Sequence, residues 1–184
     1  MNTEKERIDI FFREAEIEDH PQIQAFIELV DPEFYPPLSE RPGGIDGRIE
    51  NSLAKPDANF LIAEGSSNSE PGPVSVSHPD RTAGPDRIAG LISYERQWEG
   101  ENNAYISFVA VNPEFRNLGI ASKLISLLEE QMQSAGMERM YVCTWSTNHS
   151  ALALYEKKGF STDRVIKNAR GPFVDTLYLV KSIG

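Results

Sequence analysis

A short segment near the middle of the chain has the residue types of an anion-binding turn. Residues 109–121 read as the end of a strand, a turn that starts at Pro113, and a helix whose first turn holds Arg116, Gly119 and Ala121. The start of a helix presents N–H groups without helical partners at the positive end of the helix dipole, and these bind an anion. Gly119 lets the backbone approach the anion closely, and Arg116 adds positive charge at the rim. The segment therefore predicts a phosphate site built mostly from backbone.

The identity of the phosphate ligand follows from comparing motifs. The sequence has no G-x-x-x-x-G-K-S/T, which excludes a P-loop nucleotidase at the motif level, and no G-x-G-x-x-G to indicate a dinucleotide site. Instead, V-x-V-x-P-x-x-R-x-x-G-x-A over residues 109–121 resembles the acetyl-CoA pyrophosphate loop of the GNAT superfamily of N-acetyltransferases. The core of that family pattern is R/Q-x-x-G-x-G/A after a strand. Here it follows the predicted strand 105–111 and precedes a long amphipathic helix.

Two further segments carry the same resemblance. Residues 148–160, from Asn148 through Tyr155 to Phe160, are similar to the family's N-x-x-A-x-x-x-Y-x-x-x-G-F signature, one helix and one strand beyond the first motif. Near the start of the chain, Arg13 to Asp19 resemble the family's R-x-A-x-x-x-D opening. The resemblance covers the whole chain except residues 66–86, and whether it includes 31–57 is left open.

The resemblance implies a ternary complex in which an amine attacks acetyl-CoA directly, without an acyl-enzyme intermediate. It implies that strand residues 109–111 bind the pantetheine arm through their backbone, as an added strand would, and that Asn148 also binds this arm. It implies that Tyr155 is the general acid toward the departing thiolate. The implied cofactor-binding residues are Val109, Ala110, Val111, Arg116, Asn117, Leu118, Gly119, Ile120, Ala121, Ser122, Asn148 and Tyr155.

The general base has no clear candidate in the sequence. Many family members place an acidic residue on the strand before the pyrophosphate loop, but this chain has Ser107 and Phe108 there. Glu95 on the preceding strand, a water, or an amine that arrives neutral are the alternatives. A non-catalytic module that binds or senses acetyl-CoA therefore stays open beside the enzyme, as does an interaction protein on the same fold.

The acceptor is expected to be a small-molecule or peptide amine. An acidic protein tolerates a cationic amine near its site. This favours polyamines, amino sugars, lysine or N-terminal amines as acceptors. Phe34, Tyr35 and the rest of the 31–43 loop are expected to select it together with residues 173–180. Trp98 either covers the substrate or caps the sheet edge.

Hydrophobic periodicity predicts the elements that must position these residues. Strands are predicted at 8–14, from 60, and at 87–96, 103–111, 139–145, 160–167 and 173–180; helices are predicted at 20–30, 44–54, 118–134 and 148–158. The order is typical of an α/β (α+β) fold. The resemblance implies a GNAT-like three-layer fold with a mixed, mostly antiparallel central sheet and helices on both faces.

Composition bounds the remaining possibilities. The 184 residues predict a single domain, 1–184, with a Ser/Pro/Gly-rich surface insertion at 66–86. The net charge of −10 disfavours nucleic acid and anionic membranes as partners. Cys143, the only cysteine, cannot form an internal disulfide and is expected to be a buried apolar residue, and no metal site is predicted. We expect a cytoplasmic protein, and a homodimer is left open.

Overall fold

The computed structural model describes residues 8–67 and 88–184. Its strands are β1 (Ile8–Glu14), β2 (Ala58–Ser67), β3 (Ile88–Arg96), β4 (Asn103–Val111), β5 (Arg139–Trp145), β6 (Ser161–Ile166) and β7 (Thr176–Ser182). Its α-helices are α1 (His20–Val30), α2 (Gly44–Ala54), α3 (Ile120–Ser134) and α4 (His149–Lys157). Most predicted elements are present within about two residues of their expected ends.

The strands form one sheet in the order β1-β2-β3-β4-β5-β7-β6. Every neighbouring pair is antiparallel except β4 and β5, which are parallel. The crossover between these two strands is α3, as expected for a parallel connection. The predicted mixed, mostly antiparallel sheet is confirmed.

Helices cover both faces of the sheet. The apolar stripe of α1, namely Ile23, Phe26, Ile27 and Val30, packs with Ile49 of α2 against one face. The stripe of α3, from Leu124 to Met132, packs against the other face, where Tyr155 of α4 also lies. Burial of these stripes explains why the helical periodicity located the helices correctly.

Several predicted boundaries differ from the structure by one to three residues. Helix α3 begins at Ile120 rather than at 118, because Asn117 and Gly119 adopt left-handed conformations, with φ of 65° and 76°. The last strand begins at Thr176 rather than at 173, because the chain turns at Phe173, whose φ is also positive. Strand β2 begins at Ala58 and runs two residues into the predicted insertion.

The rest of the predicted insertion lies outside the described residues. The strands on either side of it, β2 and β3, are antiparallel neighbours. Within residues 8–67 and 88–184, no helix has the length and apolar character needed to cross a membrane.

The 31–43 loop is held in shape by a buried carboxylate. Asp31 accepts hydrogen bonds from the backbone N–H of Leu38 at 2.5 Å and of Ser39 at 3.2 Å. Leu38 is buried against α1 and α2, which anchors the far end of the loop in the core. The loop therefore has a defined path over the sheet, although its prolines exclude a long helix.

Candidate active site

The site is created where two strands stop pairing. Strands β4 and β5 pair only from Asn103 to Ile106 on β4 and from Arg139 to Val142 on β5. Beyond these residues the strands diverge, while β4 remains paired with β3 and β5 with β7. A cavity of about 420 Å³ occupies the gap. The peptide groups at its edges are therefore available to a ligand.

The cavity reaches both faces of the sheet. On the α3 and α4 face it is lined by Ala121, Ala151, Leu154 and Tyr155. On the α1 and α2 face it is lined by Phe34, which stacks on Phe108 with ring centroids 5.2 Å apart. A ligand in the gap can thus be reached by a second ligand from the opposite side of the sheet.

The structure brings together seven of the twelve sequence-predicted cofactor residues on this cavity: Val109, Ala110, Val111, Arg116, Ala121, Asn148 and Tyr155. The other five do not line it. They are Asn117, Leu118, Gly119, Ile120 and Ser122, which form the turn before α3 and its first residues. Ile120 has a buried side chain, so only its backbone is available to a ligand.

The start of α3 has the geometry of an anion site. The first helical hydrogen bond runs from Lys123 N–H to Gly119 O at 3.0 Å, and no side chain caps the helix. The preceding amides of the first turn therefore lack helical partners. A Cβ added at Gly119 would meet nothing within 4 Å, so the space beside this backbone is open. These features fit a phosphate group.

Two glycines set the position of this turn. A Cβ at Gly90 of β3 would lie 2.7 Å from Ile120 Cγ2, and a Cβ at Gly65 of β2 would lie 2.4 Å from the Phe115 ring. The residues on either side of the turn therefore pack directly on sheet backbone. This contact places the start of α3 beside the end of β4.

Arg116 lies at the mouth of the cavity, and it already has an acidic partner. Its Nη2 atom lies 2.6 Å from both carboxylate oxygens of Glu33, and its Nε donates to Val111 O at 3.3 Å. Both charged side chains are substantially exposed. Arg116, which the sequence predicts to bind phosphate, thus lines the cavity but is paired with Glu33 within the chain.

Tyr155 has the surroundings of a proton donor. Its side chain is 3% exposed, lines the cavity and meets the Phe160 ring edge-on at 5.7 Å. Burial raises the pKa of Tyr155 well above the ordinary value of 10.0. The phenol therefore stays protonated at neutral pH.

Two polar side chains near Tyr155 are suited to a polar ligand. Asn148 caps α4 through Oδ1, which accepts from Ala151 N–H at 3.3 Å, so its NH₂ group is left for other contacts. Thr144 is 2% exposed, lines the cavity, and its Oγ1 has no hydrogen-bond partner in the described part of the chain. A buried hydroxyl without a partner is costly, which favours a ligand that supplies one.

Two expectations from the sequence are wrong. Glu95 does not line the cavity; it lies opposite Tyr105, in the paired half of β4, and its carboxylate is 3.8 Å from Lys55 Nζ. Cys143 is only half-buried and lines the cavity, because it follows the last β4–β5 pair. Its Sγ accepts a hydrogen bond from Arg170 Nη2 at 3.5 Å.

Trp98 has neither of the two positions left open by the sequence, because it does not line the cavity and packs on inner strands rather than on the sheet edge. Its ring stacks on Tyr105 at 4.7 Å and also contacts Tyr141 and Tyr178. Trp98 therefore covers the open sheet face beside the cavity. It contacts the cavity only through Tyr105, which lines it.

Sequence reasoning missed the basic side chains of the cavity. Arg41 in the 31–43 loop and Arg170 in the β6–β7 turn both line it. Each is a single arginine in a polar segment, so no local pattern distinguishes either from a solvated surface charge. Of the expected acceptor segments, the 31–43 loop reaches the cavity through Glu33, Phe34 and Arg41, whereas no residue from 173–180 lines it.

Comparison with known proteins decides the family. The sequence model of the acetyltransferase (GNAT) family matches residues 23–160. The chain belongs to the GNAT acetyltransferase family. An acetyltransferase of Yersinia enterocolitica is 30% identical to this GNAT chain over 71 residues, which are 39% of this chain and 50% of that protein. The chain thus spans about half the length of the curated relatives that it matches.

Solved GNAT structures share the fold. The ribosomal-protein-S18-alanine N-acetyltransferase from Escherichia coli has a TM-score of 0.70 at 16% identity, covering 96% of this chain and 95% of that one. Arabidopsis thaliana NAA60, solved with acetyl-CoA, has a TM-score of 0.67 at 18% identity, covering 95% and 99%. The GNAT-like fold predicted from the sequence is confirmed.

Proposed function

We propose that this GNAT protein transfers acetyl from acetyl-CoA to a primary amine by direct attack in a ternary complex. One observation carries the proposal. The β4–β5 gap brings the edge of β4, the mouth residue Arg116 and the buried phenol of Tyr155 to a single cavity beside the start of α3. Membership of the acetyltransferase family supports the same activity.

In the proposed complex, acetyl-CoA lies on the α3 and α4 side of the gap. The amides of Asn117 to Ser122 and the guanidinium of Arg116 hold the pyrophosphate. The unpaired edge of Val109 to Val111 and the NH₂ group of Asn148 hold the pantetheine arm. The positive potential that holds the phosphate therefore comes mainly from backbone dipoles at the start of α3. The net charge of −10 belongs to the chain as a whole and does not cancel these nearby dipoles.

The chemistry assigned to the chain is proton transfer and positioning. The neutral amine nitrogen forms a bond to the acetyl carbonyl carbon, the C–S bond breaks, and Tyr155 gives its proton to the leaving thiolate. The amine nitrogen then loses a proton to water, and the Tyr155 phenolate regains one from solvent before the next turnover. Because burial raises the pKa of Tyr155, the phenol holds its proton until the thiolate forms.

A carboxylate base has no place in this scheme. Among residues 8–67 and 88–184, Glu33 is the only acidic residue that lines the cavity, and its carboxylate is paired with Arg116. Ser107, which stands where many relatives have an acid, donates a hydrogen bond to Ser93 Oγ at 2.9 Å. The amine is therefore taken up in its neutral form.

The lack of a free carboxylate base among the described lining residues favours a second candidate, a module that binds acetyl-CoA and catalyses no reaction. Such a module would keep the start of α3 and the β4 edge but would release no thiol in the presence of any amine. An interaction protein would show no thermal shift with acetyl-CoA at all.

The test measures acetyl-CoA binding by thermal shift, and then free-thiol release over an amine panel. Tyr155→Phe should lower kcat by about 10²- to 10⁴-fold and leave the acetyl-CoA thermal shift nearly intact. Tyr141→Phe is the matched control, because Tyr141 lies under Trp98 and does not line the cavity. Thiol release by neither wild type nor control would favour the binding module.

Further proposals concern the chain as a whole. We propose one domain in which the insertion predicted at 66–86 starts only after Ser67, where β2 ends. The pairing of β2 with β3 supports a single domain, since strands that pair in one sheet belong to one unit. We also propose a cytoplasmic location, since the single Cys143 offers no disulfide.

A further inference from the structure

Arg41 lines the α1 and α2 side of the cavity and has no acidic partner among the residues that the structure describes. Its Nε and Nη2 atoms donate to the carbonyl oxygen of Pro36 at 3.1 and 2.8 Å. Burial, and then repulsion from Arg170 and Arg48, lowers the pKa of Arg41. Positive charge is thus concentrated at this side of the cavity.

Arg170 reaches the same place from the turn between β6 and β7. It donates to Tyr35 O, to Thr176 Oγ1 at 3.1 Å and to Cys143 Sγ at 3.5 Å, and its guanidinium lies over the Trp145 ring. None of these partners is a carboxylate. The guanidinium therefore has hydrogen-bond support but no counter-charge.

Arg48 adds a third guanidinium behind the cavity wall. It donates to the carbonyl oxygen of Ser107, a lining residue, at 3.3 Å. Its Nε atom is buried and has no partner within the described residues. Three arginines therefore converge on one side of the gap. None of them forms an ion pair with another described residue.

This lack of counter-charge is uncommon among the described residues. Four of the five other described arginines pair with carboxylates at 2.6 to 3.6 Å, namely Arg13, Arg96, Arg116 and Arg164, and the fifth, Arg139, is exposed to solvent. The whole chain has 28 acidic residues against 18 basic ones, so carboxylates are abundant. Holding three guanidinium groups close together without carboxylates is unfavourable, and a ligand that supplies an anion would relieve their repulsion.

We propose that the acceptor amine is a small molecule that carries a negatively charged group, a carboxylate or a phosphonate, which Arg41 and Arg170 bind. This inference rests on the proposed function, which puts acetyl-CoA on the other side of the gap. Guanidinium groups bind such planar or tetrahedral anions through several charge-assisted hydrogen bonds. The anion would hold the amine beside Ser107 and Cys143, where the strands diverge.

Contact between two segments beside the cavity favours a small acceptor. The hydrogen bond from Arg170 to Tyr35 O joins the β6–β7 turn to the 31–43 loop, and the Tyr35 hydroxyl lies 3.1 Å from the place that a Cβ on Gly171 would take. Both segments contribute lining residues to the cavity. A small molecule binds there with this contact intact, whereas an extended peptide laid across both segments would have to break it.

The first test measures binding of product analogues to the CoA-saturated protein by calorimetry. The probes are N-acetyl amino acids, each compared with its own carboxamide, and N-acetyl-aminomethylphosphonate, compared with N-methylacetamide. We expect at least one anionic probe to bind about 10- to 100-fold more tightly than its uncharged counterpart, as a charged hydrogen bond predicts. Preference for the uncharged probes throughout would overturn the proposal.

The second test uses variants. Arg41→Gln and Arg170→Gln should each remove about 10- to 100-fold of the affinity for the anionic probe and raise KM for the matching amine more than they lower kcat. Arg164→Gln is the control, since its guanidinium lies over Tyr178 and pairs with Glu99 outside the cavity. Arg41→Gln leaves intact the hydrogen bond that joins the β6–β7 turn to the 31–43 loop, which Arg170 makes. A loss of affinity in Arg41→Gln is therefore not explained by loss of that contact.

The outcomes separate this inference from acetyl transfer itself. Thiol release that prefers uncharged or cationic amines would overturn the anionic acceptor and leave acetyl transfer standing. Anionic probes that bind without turnover of any amine would overturn acetyl transfer and the acceptor, and would leave only an anion-binding role for Arg41 and Arg170. Weaker acetyl-CoA binding in Arg41→Gln and Arg170→Gln would overturn the proposal, because these arginines would then serve the cosubstrate.

Discussion

Glu33 and Arg116 form an ion pair that joins the 31–43 loop to the turn before α3. Arg116 Nη2 lies 2.6 Å from both oxygens of Glu33. The pair lies across the mouth of the cavity, where the proposed pyrophosphate would meet the carboxylate. Glu33 therefore competes with the proposed ligand for the same guanidinium.

Removal of this carboxylate should strengthen acetyl-CoA binding. Glu33→Gln frees Arg116 and removes a repulsive charge, so we expect an affinity gain of about two- to fivefold, in keeping with the small energies of exposed ion pairs. The gain should shrink as salt is raised. Calorimetry with acetyl-CoA measures it, and Glu40→Gln, exposed on the same loop, is the control. Weaker binding in Glu33→Gln would show that the carboxylate orients Arg116.

Gly119→Ala should weaken acetyl-CoA binding. The φ of Gly119 is 76°, so an alanine there costs about 1–2 kcal/mol of backbone strain, and its Cβ would lie beside the amides of the first α3 turn. We expect about tenfold weaker binding, or about 1.4 kcal/mol.

Gly136→Ala is a matched control for this variant. Gly136 follows the other end of α3, has a φ of 78°, and a Cβ there would also meet nothing within 4 Å. Both variants should lower the thermal midpoint similarly, and only Gly119→Ala should change acetyl-CoA affinity. Equal affinities in calorimetry would contradict the proposed phosphate site.

The pH dependence of turnover should follow the acceptor. Burial disfavours the phenolate of Tyr155 and raises its pKa above 10.0, so the phenol keeps its proton below that pH. The profile of kcat/KM should therefore rise with pH as the amine loses its proton, and Tyr155 should cause no fall below about pH 10. Initial rates with two amines of different pKa measure this. A rising limb that stays at one pH for both amines would instead indicate a base on the protein.

Asp19→Asn should destabilise the fold. Asp19 accepts from Arg13 Nη1 at 2.6 Å, from Arg13 Nη2 at 2.8 Å and from Glu16 N–H at 2.8 Å, which ties β1 to the start of α1. The hydrogen bonds from Arg13 to Asp19 raise the pKa of Arg13. Since Arg13 is partly exposed, we expect a loss of about 2 kcal/mol. Urea unfolding measures it, and Glu18→Gln, exposed in the same turn, should change little. Equal midpoints for the two variants would refute this role of Asp19.

Local patterns in the sequence were sufficient for most of the elements and for the phosphate turn. The stripe of α1 and the signature from Asn148 to Phe160 depend on periodicities of a few residues, which a single chain displays directly. The unpaired amides at the start of α3 are likewise a property of any helix start. The predicted boundaries of α3 and β7 were wrong near residues with a positive φ angle, namely Asn117, Gly119 and Phe173.

The contents of the cavity depended on contacts between distant segments. Glu95 was a plausible base on its strand, but a register shift after Ser93 places it opposite Tyr105, in the half of β4 that is still paired with β5. Cys143 had the sequence context of a core residue, but it lies where that pairing has ended. A side chain's surroundings in a sheet depend on register, and register is a property of two strands together.

The sequence by itself determined the family, the helices and strands, and the backbone turn suited to phosphate. Only the tertiary structure decided that Arg41 and Arg170 lie close together with no carboxylate paired to either among the described residues, and that Glu33 faces Arg116. Hydrophobic periodicity and helix-end chemistry act over a few neighbouring residues, and so they can be read along the chain. Charge pairing acts through space between loops far apart in sequence, so it exists only after the sheet has brought those loops together.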